Sequence, residues 1–295
     1  MGLLYSSRSN SRRVKGSEVR SSGSVQVDGV SVYYETAGLA ELGPTVLFLH
    51  DGGGTAATWQ AQLVGVSQSA RCIAMDLPGH GRSEGVGAAS IGEYRQRVLD
   101  FLDALAIRWP VVVVGVCLGA SIAVDLALAA PERVAGLILS GVSEGGRTCA
   151  AATREEISRG DAAPAFVMDL FSETASRQVI SAQMTRWRNT SPTVRYGDLM
   201  AQSEYSVVDS LREVAHPVLL VAGERDATAS PAVTFAVADQ MTDARAAVVP
   251  GAGCLCMVEH PNAYNRIVSD FLHGRLRPTS PVIPDQERRG GYRRF

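Results

Sequence analysis

Residues 25–34 alternate apolar and polar positions around Asp28-Gly29. A period of two marks a half-buried strand, and Asp-Gly supplies the positive φ angles of a tight turn, so a β-hairpin is predicted. The pattern then switches repeatedly. Residues 45–49 read as a short apolar strand ending at His50, followed by a Gly-rich turn and an amphipathic stretch over 56–66. Residues 72–77 read as the next strand. Residues 91–107 have helical spacing, with Val98, Leu99, Leu102 and Leu105 on one side. Residues 111–116 are continuously apolar, the pattern of a strand buried on both faces. A helix over 118–130 stops at Pro131, and residues 134–139 form another strand. After a long interval the alternation resumes: strand 218–222, helix 231–240, strand 246–249, helix 263–272.

Strands alternating with helices imply an α/β fold, a mostly parallel sheet of about eight strands with helices on both faces. The interval 144–213 is polar, helical and without a good strand, so it reads as a helical lid inserted in the core. The expected organisation is a core of residues 25–143 and 214–274, with extensions at 1–24 and 275–295 predicted to be disordered. Ser11-Arg12-Arg13 is not followed by the apolar segment that a twin-arginine export signal requires.

Composition narrows the function classes. The chain has 295 residues, 46% hydrophobic and 20% charged, enough for a core without covalent staples. A net charge of −2 gives no basic field for nucleic acid. No apolar run is long enough to span a membrane. Five cysteines (Cys72, Cys117, Cys149, Cys254 and Cys256) are too few, and odd in number, for a disulfide scaffold. A reducing, cytoplasmic setting is the expectation.

Gly115-Val116-Cys117-Leu118-Gly119 joins the most apolar strand to a helix. The Gly-x-Ser-x-Gly nucleophile elbow has this form, here with Cys at the Ser position. Such a turn sets residue 117 at a helix N-terminus, where backbone N–H groups hold an oxyanion and the dipole favours a thiolate. The surroundings follow in order: His50-Asp51-Gly52-Gly53-Gly54, Asp76-Leu77-Pro78-Gly79-His80-Gly81-Arg82-Ser83, Pro131-Glu132-Arg133-Val134, Gly223-Glu224-Arg225-Asp226, and Pro250-Gly251-Ala252-Gly253 leading to Glu259-His260-Pro261. From about residue 25 to 274 the chain resembles the α/β-hydrolase superfamily. It is most similar to the branch of 3-oxoadipate enol-lactonases and C–C bond hydrolases.

That resemblance implies a nucleophile at Cys117, an acid at Asp226 and a histidine after Gly253. The residue there is Cys254. It further implies an oxyanion hole from the Gly52 and Leu118 amides. A turn or capping role before the Pro231 helix is the competing reading of Asp226. Asp51 replaces the usual glycine after His50, and it either faces solvent or lines the pocket. Phe166, Met168, Phe171, Met184 and Trp187 are candidate roof residues, of which Met184 and Trp187 are taken with Asp51 as candidate substrate contacts. They compete with plain packing of the lid on the core.

The lost histidine changes the expected chemistry. A cysteine attacks an activated acyl group without a base more readily than serine does. Hydrolysis of the acyl-enzyme still needs a proton acceptor. Acyl transfer, cyclisation or rearrangement of an acyl, ester or lactone-like small molecule is therefore favoured over fast hydrolysis, with no cofactor. Two alternatives stay open: an ordinary or slow hydrolase with a relocated base such as His260 or His50, and a non-catalytic binding protein. A Cys117–Cys254 disulfide is expected to need backbone movement. A metal on Cys117, Cys254 and Cys256 lacks structural-zinc spacing.

Overall fold

The computed structural model describes residues 20–39, 43–142 and 167–274. Eight strands form one sheet: β1 (Arg20–Val27), β2 (Val30–Ala37), β3 (Thr45–Leu49), β4 (Arg71–Met75), β5 (Val111–Val116), β6 (Val134–Ser140), β7 (Val218–Gly223) and β8 (Ala244–Val249). Their spatial order is β1-β2-β4-β3-β5-β6-β7-β8. β1 and β2 pair antiparallel, as do β2 and β4; the other five pairings are parallel. The helices of the described residues are α1 (Gln60–Val66), α2 (Ile91–Ala104), α3 (Leu118–Ala129), α4 (Arg177–Asn189), α5 (Pro192–Ser203), α6 (Val207–Leu211), α7 (Pro231–Ala238), α8 (Cys256–Glu259) and α9 (Pro261–Leu272). This is the α/β-hydrolase architecture expected from the sequence.

The pleat sends alternate residues to opposite cores. Leu47, Leu49, Val111 and Val113 join α2 and α3 on one face. Val46, Phe48, Val112 and Val114 join α1 and α9 on the other, in the cluster that also holds Cys117 and Cys254. Each such valine or leucine stabilises the fold by about 1.5–3 kcal/mol through lost contact with water. That cost of exposure fixes the register of the strands that carry the site.

The hairpin turn has Asp28 at φ 48° and Gly29 at φ 79°, as a type I′ turn requires. β1 begins at Arg20, five residues before the apolar alternation. Those residues are held by cross-strand pairing (Arg20 opposite Ala37, Ser24 opposite Tyr33) and not by burial of large apolar groups. α2 ends at Ala104, earlier than its periodicity predicts. The chain leaves the helix through Ala106 at φ 56°, which still lets the Ile107 amide reach the Leu102 carbonyl. Phe166 and Cys149, and most of the two predicted extensions, lie outside the described residues. No helix among the described residues is long and apolar enough to cross a membrane.

Candidate active site

Cys117 sits between β5 and α3 with φ 50° and ψ −110°. That backbone belongs to neither strand nor helix, and for a residue with a Cβ it costs about 1–3 kcal/mol. The flanking glycines make the turn possible. A Cβ on Gly115 would lie 2.3 Å from the Gly119 carbonyl oxygen, and one on Gly119 would lie 2.2 Å from that of Leu49. The first turn of α3 therefore rests directly on the end of β3. The Leu118 amide opens α3 and has no partner within the helix. Gly52 follows two residues after His50, whose carbonyl also lies against Gly119. Neither the Gly52 nor the Leu118 amide is taken by a backbone carbonyl among the described residues.

Cys254 lies on the loop between β8 and α8. Its Sγ is 3.6 Å from the Sγ of Cys117. The two sulfurs are thus in contact without being bonded. Both residues are buried. The backbone of Gly141 closes over them: a Cβ there would lie 2.8 Å from one sulfur and 3.0 Å from the other. The contact with Cys117, burial and the charge of Asp226 push the Cys254 thiol well above the usual cysteine range. Burial does the same to Cys256. The Cys254 loop is anchored by Glu259, which accepts from the Gly253 amide at 2.8 Å and from the Ser172 hydroxyl at 2.6 Å.

Asp226 follows β7. Its Oδ1 accepts from the Thr228 amide, the Thr228 hydroxyl and the Ala229 amide at 2.8–2.9 Å. This is the turn role that competed with catalysis in the sequence. The cap of α7 falls to Ser230 instead. Oδ2 is buried and has no hydrogen-bond partner. Buried carboxylate oxygens are rarely left so. The charge of Asp226 acts on Cys254, the residue at the position where the family resemblance implies a histidine.

The five histidines are all committed or remote. His50 Nε2 accepts from the Leu77 amide at 2.9 Å, and Nδ1 faces the Asp51 carbonyl at 2.7 Å. It ties the Gly52 loop to the loop after β4. His80 is buried against Asp198. His216 contacts the Pro131 carbonyl, His273 that of Ser269, and His260 is exposed. A base relocated to His260 or His50 does not fit these positions.

Asp51 neither faces solvent nor stands free in a pocket. It is buried against α4, where Gln183 donates to its Oδ2 at 2.7 Å and Arg186 in turn donates to Gln183 at 2.9 Å. Its Oδ1 has no hydrogen-bond partner and lies against Gly54. Burial raises its pKa from 3.8 to about 6. Trp187 of α4 lies against Gly53, where a Cβ would lie 2.4 Å from its ring, and the Arg195 guanidinium sits over the ring at 5.0 Å. Met184 on the same helix is half-buried against the core cluster. Phe171 is buried beside Gly253, while Met168 points outward at 49% exposure and is no roof residue in this structure.

The sequence carried no local sign of Asp198, Gln183 or Tyr94. Asp198 meets His80 and Tyr94 across 118 and 104 residues of chain. Among the described residues no three His, Cys, Asp or Glu side chains converge as a metal site would require.

The sequence profile of the alpha/beta hydrolase family matches residues 46–267, and the chain belongs to that family. A pimeloyl-[acyl-carrier protein] methyl ester esterase of Pectobacterium carotovorum subsp. carotovorum is 26% identical over 261 residues, covering 82% of this chain and 98% of that one. Among solved structures, Est816, described as an N-acyl homoserine lactone degrading enzyme, is 26% identical with a TM-score of 0.72, covering 84% of this chain and 99% of that one. The enol-lactonase from Burkholderia xenovorans LB400 is 19% identical with a TM-score of 0.75, over 85% and 99%. It shares the fold.

Proposed function

We propose that this protein is a slow esterase or lactonase acting on small-molecule acyl esters or lactones, with Cys117 as nucleophile and Asp226 as proton acceptor. The observation that carries the reading is Cys117 at a strand–helix elbow, in sulfur contact with Cys254, on which the charge of a buried Asp226 with an unpartnered Oδ2 also acts. The related esterase and the lactone-degrading structure favour hydrolysis over the transfer, cyclisation or rearrangement expected from the loss of histidine alone.

Cys117 Sγ adds to the substrate carbonyl carbon, and the carbonyl oxygen takes up charge facing the Gly52 and Leu118 amides. The C–O bond breaks, the thiol proton leaves with the alcohol, and a thioester remains on Cys117. In the second half water attacks that thioester. Asp226 Oδ2 takes the water's proton, the C–S bond breaks, and proton return to sulfur restores the thiol. A carboxylate is a weaker base than imidazole, and Cys254 as a thiol accepts no proton, so this half limits the rate. Gln183, Arg186 and Trp187 hold the lid over the oxyanion loop and fix the Gly52 amide.

Steady-state hydrolysis of p-nitrophenyl acetate and a small lactone tests the reading. Cys117→Ala is expected to fall to the uncatalysed background. Full turnover by that variant would overturn a Cys117 nucleophile.

A further inference from the structure

We propose that Cys117 and Cys254 form a reversible disulfide when the protein meets a hydroperoxide, so that the catalytic site is itself a site of oxidative modification. The geometry points to it directly. The sulfurs are 3.6 Å apart and belong to residues 137 apart in the chain. A disulfide bond is near 2.05 Å, so closure needs about 1.5 Å of approach. Neither cysteine is in a disulfide, and Gly141 presents only backbone to the pair.

The two thiols have different parts. Cys117 stands at the N-terminus of α3, which stabilises negative charge on its sulfur and makes it the attacking group. It takes one peroxide oxygen, becoming a sulfenic acid, and water leaves. The Cys254 thiol, held protonated by its burial and by Asp226, then attacks the Cys117 sulfur. The S–O bond breaks, the S–S bond forms, and the thiol proton joins the hydroxyl to leave as a second water. One peroxide is reduced and two thiols are oxidised. A thiol reductant reverses the change. Cys256 is buried in the same cluster but opens α8 only two residues after Cys254, too close in the chain for an unstrained bridge.

This inference needs the sulfur contact and not the esterase reading, so it is tested without substrate. The full-length protein is treated with hydrogen peroxide, alkylated under denaturing conditions and mapped by peptide mass. Free thiols are expected to fall from five to three, with one linked peptide pair joining Cys117 to Cys254, restored by dithiothreitol. Cys254→Ser is expected to lose the link and to carry added oxygen on Cys117. Cys256→Ser is expected to keep the link. A bridge between Cys254 and Cys256, or over-oxidised Cys117 beside a free Cys254 in the unmutated protein, would overturn it.

Discussion

His80 Nε2 lies 2.9 Å from Asp198 Oδ2, joining the loop after β4 to helix α5 through a pair sealed from solvent. Asp198 also accepts from the Gly53 amide at 3.1 Å and from the Tyr94 hydroxyl. One carboxylate on α5 thus fastens the Gly53 loop, the loop after β4 and α2 together. Burial works against a charge on His80, but Asp198 outweighs it and holds the His80 pKa above the usual range. Removing one partner of a buried pair costs about 3–5 kcal/mol. Asp198→Asn is expected to lose about that much in urea denaturation. The linkage has a definite sign. A raised histidine pKa stabilises fully below the unfolded value, about 6.5, and the gain is lost as pH rises through the folded value. Asp198→Asn is expected to flatten the fall in stability on that alkaline side.

Asp51 titrates lower, with the same sign. Its pKa rises from 3.8 to about 6 because burial penalises its charge. The folded state binds the proton more tightly, so stability falls as pH climbs through that window and stays lower above it. The shift corresponds to roughly 3 kcal/mol as an upper figure. Asp51→Asn keeps an oxygen for Gln183 and removes the charge. It is expected to gain on the wild type between those two pH values and to hold that gain above them, measured by thermal melts across pH.

The elbow glycines are expected to be intolerant. Gly119→Ala drives a Cβ to 2.2 Å from the Leu49 oxygen, where only backbone can give. A loss of about 3 kcal/mol, or failure to fold, is expected. Gly92→Ala in α2 meets nothing within 4 Å. It is expected to stabilise by about 0.5–1 kcal/mol through helix propensity.

Restoring the missing base is a gain-of-function check. Cys254→His places an imidazole between Cys117 and the open Oδ2 of Asp226. General-base catalysis contributes about 100- to 10,000-fold. Turnover of p-nitrophenyl acetate is expected to rise within that range, and a bell-shaped or rising pH profile near the histidine pKa is expected to accompany it.

The core was legible because its strands are short, apolar and punctuated. Residues 111–116 were predicted to the residue, since six apolar positions between Pro110 and Cys117 leave one solution. The elbow at Cys117 was legible from its Gly-x-Cys-x-Gly form, and Asp226 and Cys254 were singled out by what the family resemblance implies. The sulfur contact was not legible, because it depends on how the Cys254 loop is drawn in by Glu259 and the backbone of Phe171. Asp51 was read as solvent-facing or pocket-lining because a polar residue after a strand is ordinarily free. Its burial depends on Gln183, 132 residues away. Arg20 to Ser24 showed no strand pattern because hairpin pairing alone holds them.

The covalent route is tested most directly by rapid-quench intact-mass measurement with p-nitrophenyl acetate. One acetyl group on Cys117 is expected to appear within the first turnover and to decay at the steady-state rate, with slower decay and greater accumulation in Asp226→Asn. Turnover with no acetylated Cys117 at any time, or decay unchanged in Asp226→Asn, would contradict it.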